Sequence, residues 1–133
     1  MIRELLINNP TINLLKRGLE ATSLRHQVIS DNIVNTGVPG HQKREVHFES
    51  LFTKEMASQL RGGNTDPRRQ LLGAERSLPR PEVVDKETDA DGAAALEAEM
   101  VALIENSAKH RALVRLLNGS YSSIVTAIRG RLE

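Results

Sequence analysis

One stretch near the C-terminus decides the fold: LEAEMVALIENSAKHRALVRLLNGSYSSIVTAI, residues 96–128. Apolar side chains recur there at alternating steps of three and four residues, which is the spacing of a coiled-coil seam. The seam positions are Leu96, Met100, Leu103, Ser107, His110, Val114, Leu117, Tyr121, Ile124 and Ile128. We therefore predict a long helix over residues 91–130 whose narrow apolar stripe packs against another helix.

A second seam with the same spacing lies near the N-terminus. Its positions are Ile12, Leu15, Leu19, Thr22, His26, Ile29 and Ile33. Asn9-Pro10 is a favourable helix start, because Asn caps free backbone amides and Pro has no amide to leave unpaired at the first helical position. We predict a helix over residues 10–35 after a flexible segment over residues 1–9, and the two long helices together form the helical core domain.

A turn motif ends the first helix. Its positions are Asn32, Asn35, Gly37, Pro39 and Gly40. Gly37 is predicted to adopt the left-handed conformation that caps a helix, and Pro39-Gly40 suits the centre of a type II turn. The sequence thus predicts a firm end to the helix rather than a hinge within it.

The middle of the chain carries weaker signals. Within residues 36–61 the turn is followed by a short amphipathic helix, predicted from Phe48, Leu51, Phe52, Met56 and Leu60. Residues 62–90 contain Gly and Pro breakers and are predicted to form an irregular linker or loop with a short strand at most. The predicted fold class is mainly α: an antiparallel, coiled-coil-like pair of terminal helices, a short third helix and an irregular middle segment.

The lengths of the two seams limit how they pair. At about 1.5 Å per residue, the C-terminal seam is roughly 48 Å long and the N-terminal seam roughly 32 Å. The antiparallel register that matches every N-terminal seam residue places His26 opposite His110, and a competing register pairs Thr22 with Ser107. In either register part of the C-terminal seam has no partner within the chain, and we expect other subunits to cover it.

Composition narrows the function classes. The 133 residues include 18 basic and 17 acidic side chains, without the clustered basic face that binds nucleic acid. Only 39% of the residues are hydrophobic, so a large three-dimensional core is not expected. The chain has no Cys, which excludes disulfides and zinc–thiolate sites. Neither a signal peptide nor a membrane span is predicted at the N-terminus, so composition alone indicates the cytoplasm.

No group of side chains predicts catalysis. His41 and His47, with Glu45 and Glu49, fit no common metal-ligand spacing, and the alternating acidic residues within 85–91 lack the offsets of an EF-hand. No nucleophile stands beside a base in a recognisable motif, and no Gly-rich loop follows a strand to hold phosphate. We expect a protein that is not an enzyme and that uses no metal, cofactor or small-molecule substrate.

The stretch that ends the first helix carries a family resemblance. Residues 30–42, SDNIVNTGVPGHQ, resemble the motif N-I-A-N-x-x-T-P-G-Y-K near the N-terminus of bacterial flagellar rod and hook proteins. Together with patterns in residues 99–106 and 116–119 and the short length, the resemblance is strongest to the proximal members of the rod. The matching positions are Asn32, Ile33, Asn35, Pro39 and Gly40; Val34 replaces Ala conservatively, and Val38, His41 and Gln42 differ from Thr, Tyr and Lys.

This resemblance implies a structural role. Similar proteins are exported by the flagellar type III apparatus without a cleaved signal peptide, and they polymerise into the rod that transmits torque from motor to hook. Their terminal helices pack with copies of the same protein, with other rod proteins and with the adaptor between the export gate and the rod. The resemblance therefore implies a subunit of the flagellar basal body on the periplasmic side, which reverses the location that composition indicates.

One alternative from another functional class stays open, namely a soluble helical-hairpin adaptor or chaperone in the cytoplasm. It predicts a compact, protease-resistant monomer or dimer, whereas a rod subunit keeps its seams exposed until it assembles. The apolar segment before Pro10 likewise has two possible roles, export recognition or a contact made within the rod.

Overall fold

The fold consists of two long helices and a two-stranded sheet. The computed structural model describes residues 9–51, 53–54, 78–86 and 92–130. The elements are α1 over Pro10–Asn35, β1 over Lys43–His47, β2 over Glu82–Lys86 and α2 over Gly92–Arg129. Helix α1 packs against α2 and against β1. The helices are antiparallel, because Gly18 lies against Leu113 while Asn32 bonds to Glu99. The predicted mainly α fold is therefore confirmed.

Helix α1 begins where the sequence predicts it. The side chain of Asn9 accepts a hydrogen bond from the amide of Thr11 at 3.0 Å, and Pro10 is the first helical residue. This is the expected capping arrangement, since it satisfies a free amide and places Pro where no amide is needed. The helix then runs without interruption to Asn35. Residues 1–8 of the predicted flexible segment lie outside the described residues.

Helix α2 is the longer of the two. It has 38 residues and α1 has 26, so α2 is longer by roughly 18 Å at about 1.5 Å per residue. It continues through Gly119, where the hydroxyls of Ser120 and Ser123 donate to backbone carbonyls four residues earlier, at 2.9 and 3.0 Å. One helix therefore extends well beyond what the other can cover.

Two short strands occupy the middle of the chain. They pair antiparallel, with Lys43 opposite Lys86 and His47 opposite Glu82. Strand β2 falls within the predicted linker over residues 62–90, which allowed for a short strand at most. The pairing joins segments far apart in sequence.

The predicted short third helix is described only in part. Residues 49–51 and 53–54 are helical, and the hydroxyl of Thr53 donates to the carbonyl of Glu49 at 2.8 Å. Phe48 lies before this helical turn and is buried, with 8% of its surface exposed. Three residues of the predicted short helix, Phe52, Met56 and Leu60, lie outside the described residues. So do residues 62–77 and 87–90 of the predicted linker.

The buried residues lie on α1, α2 and β1 and around the start of the short helix. The buried apolar residues of the described chain are Ile12, Ala21, Val28, Ile29, Val46 and Phe48. The buried polar residues are Thr22, Asn32, Glu99 and Asn106. Because a buried polar group without a partner costs about 1–3 kcal/mol, this packing depends on hydrogen bonds as well as on hydrophobic burial.

Candidate assembly interface

Helices α1 and α2 contact each other through small and polar side chains. The helices approach closely at Gly18, where an added Cβ atom would stand 3.2 Å from Cδ1 of Leu113. That separation is tighter than ordinary van der Waals contact. The missing side chain at Gly18 therefore allows the helices to approach closely.

Thr22 lies at the centre of the contact and is 4% exposed. Its hydroxyl oxygen is 2.9 Å from Nδ1 of His110, and its carbonyl accepts a hydrogen bond from Nδ2 of Asn106 at 2.8 Å. The hydroxyl also donates to the carbonyl of Leu19 at 3.1 Å. Because a hydroxyl has one proton, His110 is then the donor in its contact with Thr22. The hydroxyl and the carbonyl of Thr22 thus both bind α2.

This contact shows that the predicted histidine-to-histidine register is wrong. His110 lies against Thr22, one helical turn from His26, which is exposed. Thr22 contacts both Asn106 and His110, so the alignment is nearer to the competing register that pairs it with Ser107. The physical reason is hydrogen bonding, since this alignment pairs the hydroxyl and the carbonyl of Thr22 with His110 and with Nδ2 of Asn106 across the interface.

At the other end of α1, Asn32 joins three elements. Its Nδ2 donates to the carbonyl of Arg44 at 2.8 Å, and its Oδ1 accepts from the amide of Arg44 at 3.1 Å. Nδ2 also donates to one carboxylate oxygen of Glu99 at 3.2 Å, and Nζ of Lys43 lies 2.5 Å from the other. Asn32 is 4% exposed and Glu99 is 3% exposed. A buried, fully paired polar network therefore fastens β1 and α2 to α1.

Side chains of α1 also cover the outer edge of β1. The main-chain groups of Arg44 that bind Asn32 point away from β2, since each strand directs alternate residues to opposite edges. On the same outer edge, the carbonyl of Val46 accepts a hydrogen bond from Nη2 of Arg25 at 3.1 Å. Arg25 and Asn32 thus stand where a third strand would pair, and β2 carries the open edge of the sheet in the described part of the chain.

Two surface ion pairs lower the pKa values of carboxyl groups near the sheet. Arg25 donates to both carboxylate oxygens of Glu49, at 2.9 and 2.5 Å, and this hydrogen bonding lowers the pKa of Glu49. Nζ of Lys86 donates to Oε1 of Glu45 at 2.7 Å and lowers the pKa of Glu45 for the same reason. Both carboxyl groups therefore stay charged at lower pH than free Glu.

The turn after α1 is centred on Pro39-Gly40, as predicted. The amide of His41 donates to the carbonyl of Val38 at 3.2 Å, and Gly40 has a φ of +82°. These features fit a type II turn, in which the third residue needs the positive φ that Gly readily adopts. Residues 38–41 thus form the predicted end of the helical segment.

The predicted left-handed cap at Gly37 is wrong. Gly37 does not have a positive φ. Instead Thr36 closes the helix in right-handed geometry, with its amide turned back to the carbonyl of Ile33 at 3.4 Å. Asn35, another position of the turn motif, donates from Nδ2 to the carbonyl of Asp31 at 2.8 Å. Local hydrogen bonds therefore end the helix without a left-handed residue at position 37.

The structure buries or half-buries every predicted seam position of α1 except His26, and it rotates the predicted seam of α2. Exposed seam positions are His26, Leu96, Met100, Val114, Tyr121 and Ile128. Buried or half-buried ones are Ile12, Leu15, Leu19, Thr22, Ile29, Ile33, Leu103, Ser107, His110, Leu117 and Ile124. The more buried face of α2 also includes Ala95, Glu99, Ala102, Asn106 and Leu113, each one residue before a predicted position. A shift of one residue turns the face by about 100°.

The large apolar seam residues that stay exposed form a strip on α2 together with two residues outside the predicted seam, Ile104 and Val125. We call this strip the outer row, and it comprises Leu96, Met100, Ile104, Val114, Tyr121, Val125 and Ile128. Their exposure ranges from 36% at Val114 to 67% at Ile104. At about 100° per residue the row lies roughly a quarter turn from the face that packs on α1. Ser107, His110 and Arg111 interrupt the row between Ile104 and Val114, and an exposed apolar strip is typical of a surface that binds another protein.

A polar groove lies between the helices beside Thr22. Its volume is about 540 Å³, and it is lined by Thr22, Ser23, His26, Gln27, Asn106, Ser107, His110 and Arg111. Among the described residues, no group of three or more His, Asp or Glu side chains could hold a metal ion. In the same part of the chain, neither helix is both long enough and apolar enough to cross a membrane.

Comparison with known proteins gives one match that covers nearly the whole chain. The flagellar basal body rod protein FlgB of Bacillus subtilis (strain 168) is 27% identical to the chain over 122 residues, which span 90% of this chain and 94% of that protein. This match supports a FlgB-like flagellar rod protein. No protein-family profile matches it. The similarity agrees with the resemblance of residues 30–42 and supports a structural component of the flagellar basal body.

Several residues that fasten this FlgB-like chain together were not predicted from its sequence. They include Arg25, which covers the edge of β1, and Glu99 and Asn106, which bond to α1. Glu99, Asn106 and Leu113 recur at seven-residue intervals, so they lie on one helix face. This seven-residue spacing, next to the apolar seam, was the feature of the sequence that could have indicated which face of α2 contacts α1.

Proposed function

We propose that this protein polymerises through its terminal helices into the proximal rod, which transmits torque from motor to hook. The single observation that carries the proposal is the outer row of α2. Seven large apolar side chains stand exposed on one strip of a helix whose neighbouring face is occupied by α1. Exposure of this much apolar surface is unfavourable for an isolated chain and favourable for a subunit that becomes covered on assembly.

The unequal helix lengths support the same proposal. With Gly18 against Leu113 and Thr22 against His110, the start of α1 reaches roughly residue 121 of α2. The last two turns of α2, which carry Val125 and Ile128, therefore have no partner in α1. A surface that meets a different surface on the next subunit makes a heterologous contact, and repeated contacts of this kind build an open tube rather than a closed pair.

The family resemblance and the FlgB match support the partners that we propose. They are copies of the chain, other flagellar rod proteins, the adaptor between the export gate and the rod, and the flagellar type III export apparatus. The location is the rod on the periplasmic side, reached without a cleaved signal peptide. The role is structural rather than catalytic, and it requires no cofactor.

The outer row can be tested without disturbing the intramolecular contact. Val114→Asp places a charge in the row, one residue beyond Leu113, which faces α1. Ala112→Asp is the matched control, since Ala112 is exposed and lies about 160° around the helix from Val114. Each variant would be expressed in flagellated cells that lack their own copy, with motility and the rod content of isolated basal bodies as readouts.

We expect the Val114→Asp protein to be secreted but not incorporated, so that cells lose motility while the protein accumulates outside the cytoplasm. The Ala112→Asp protein should assemble. Normal motility with Val114→Asp would contradict assembly through the outer row. Retention of the unmodified protein in the cytoplasm, with a protease-resistant fold and protected amides in both helices, would favour the alternative of a soluble adaptor or chaperone.

The two possible roles of the N-terminal segment need a separate experiment. Deleting residues 2–8 and measuring secretion independently of motility distinguishes export recognition from a contact made within the rod. If the truncated protein is secreted normally but does not assemble, the segment acts in the rod. If secretion stops, the segment acts in export.

A further inference from the structure

We propose that the open edge of β2 pairs with the same edge of a second copy of this chain. The pairing is antiparallel and two-fold symmetric, and it joins the two sheets into one sheet of four strands with both copies of β2 at its centre. The proposal concerns the free subunit and goes beyond the proposed assembly of the rod through the outer row.

The first observation is the accessibility of the edge. All five residues of β2, Glu82–Lys86, are exposed, so both faces of the strand are open to an approaching chain. Because Arg44 and Val46 direct main-chain groups toward α1, their opposite residues on β2, Asp85 and Val83, direct theirs to the outer edge. Outward amides and carbonyls of this kind are a template for another strand.

The second observation is that the edge is complementary to itself. Pairing Val83 with the partner's Asp85 makes two hydrogen-bonded residue pairs across the two-fold axis, and it places Val84 opposite the partner's Val84. In the same alignment Glu82 stands opposite the partner's Lys86, twice by symmetry, so each Lys86 would have Glu82 of the other copy beside it in addition to its own Glu45. Opposite charges and β-branched residues are favourable cross-strand pairs. The occupant that the edge fits is therefore a second β2.

Neighbouring alignments are less favourable. Shifting the pairing by two residues in one direction places Asp85 opposite the partner's Asp85, and like charges directly opposite each other are destabilising. Shifting it in the other direction brings Pro81, which has no amide to donate, to a position where the ladder needs one. The charges and the proline thus select a single register with Val84 on the axis.

This contact differs from rod assembly in its symmetry. A two-fold contact uses the same surface on both copies and stops at two, whereas an open tube needs contacts between different surfaces. Five residue pairs form a small interface, below the roughly 1,000 Å² that stable complexes usually bury, so the pair forms and separates readily. It covers the open sheet edge of the free subunit and separates before that subunit joins a tube.

Cysteine cross-linking of the full chain tests the register, because the native chain has no Cys. Val84→Cys places a thiol opposite its own copy, at a non-hydrogen-bonded pair where the Cα atoms are about 4.5 Å apart, within disulfide range. Val83→Cys is the matched control. Val83 and Val84 are 39% and 37% exposed, yet in this register the two copies of residue 83 are separated by more than the ~7 Å that a disulfide can span.

Mild oxidation should give a disulfide-linked dimer of the Val84→Cys protein about tenfold or more faster than of the Val83→Cys protein, since only the former meets the distance limit. Circular dichroism of both variants would establish that the helices are intact. Adding Glu82→Lys to Val84→Cys places Lys opposite the partner's Lys86 and should slow the cross-link, with partial recovery at high salt. Equal rates for the two cysteine variants, a faster Val83→Cys, no dimer from either, or no effect of Glu82→Lys would overturn the proposal.

Discussion

Asn32 binds both main-chain groups of Arg44 through its side-chain amide. Nδ2 donates to the carbonyl at 2.8 Å, and Oδ1 accepts from the amide at 3.1 Å. Two residues paired across neighbouring strands exchange the same two hydrogen bonds. Here the side-chain amide of Asn32 takes the place of the neighbouring strand. Because Asn32 also bonds to Glu99 on α2, one residue of the flagellar turn motif holds a helix, a strand and a second helix together.

Replacing Asn32 by Ala should therefore destabilise the fold by about 2–4 kcal/mol. The change leaves the buried main-chain groups of Arg44 and one oxygen of Glu99 without this partner, and each such loss costs about 1 kcal/mol or more. Urea unfolding followed by circular dichroism measures the change in the free energy of unfolding. Asn35→Ala, which removes one exposed bond to the carbonyl of Asp31, is the matched control and should cost less than 1 kcal/mol on the scale of exposed bonds. Equal losses would contradict the bridging role of Asn32.

Lys43 should contribute more to stability than its neighbour Arg44, although both form ion pairs. Nζ of Lys43 lies 2.5 Å from Glu99, whose side chain is 4% exposed, whereas Arg44 pairs at 3.0 Å with Asp31, whose side chain is 58% exposed. Lys43→Met leaves a buried carboxylate without its cation and should cost about 2–4 kcal/mol. Arg44→Met should cost about 1 kcal/mol or less. Unfolding curves of the two variants at the same salt concentration measure these changes. A larger loss in the free energy of unfolding for Arg44→Met would contradict the greater contribution of Lys43.

Gly18 should tolerate a side chain less well than Gly119. Both lie within long helices, but a Cβ on Gly18 meets Leu113 at 3.2 Å and one on Gly119 meets nothing within 4 Å. Gly18→Val should destabilise by about 1–3 kcal/mol through overpacking. Gly119→Val should change the free energy of unfolding by less than about 1 kcal/mol, because Val has a somewhat better helix propensity than Gly. If the thermal midpoints of the two variants move together, the helices do not approach closely at Gly18.

Glu49 should make the stability depend on pH in the acid range. Hydrogen bonds from Arg25 lower the pKa of Glu49 in the folded chain below its ordinary value of 4.5. The resulting stability is present above that value and is lost as the pH falls through the lowered folded pKa. Glu49→Gln should therefore be less stable than the native chain near pH 7, by under about 1 kcal/mol because the side chain is exposed.

The difference between the native chain and Glu49→Gln should shrink as the pH falls below 4.5, and it should be smallest once the carboxyl group is protonated in both the folded and unfolded states. Unfolding measured at several pH values checks this. The same comparison in an Arg25→Met background is the control, and it should give a smaller pH-dependent difference, because the hydrogen bond from Arg25 is the largest cause of the lowered pKa of Glu49. A difference that persists unchanged at low pH would show that Arg25 is not its cause.

The sequence predicted best those features that depend on neighbouring residues. Asn9 and Pro10 mark a helix start because a cap and its amide lie two residues apart. Pro39 and Gly40 mark a turn because each fixes its own backbone angle. The motif around Asn32 also carried the family resemblance that the FlgB match supports. The role of Asn32 as a bridge to Arg44 was not accessible in this way, since it requires the position of another element.

The rotation of α2 shows where hydrophobic spacing alone is insufficient. Large apolar residues predicted a seam through Leu96, Met100 and Val114, but these side chains are exposed. The face beside them, which contains Glu99 and Asn106, bonds to α1 instead. Hydrophobic periodicity indicates that a helix has an apolar face. It does not show whether that face packs within the same chain or binds another subunit.

Local sequence therefore suffices for the helices, their limits and the turn between α1 and β1, because backbone angles and caps depend on a few adjacent residues. Three-dimensional packing sets the register at Thr22, the pairing of β1 with β2 and the exposure of the outer row. These depend on which buried polar groups find partners and on how closely backbones can approach at Gly18. Such conditions involve residues far apart in the chain, and they are met only when the whole fold has formed.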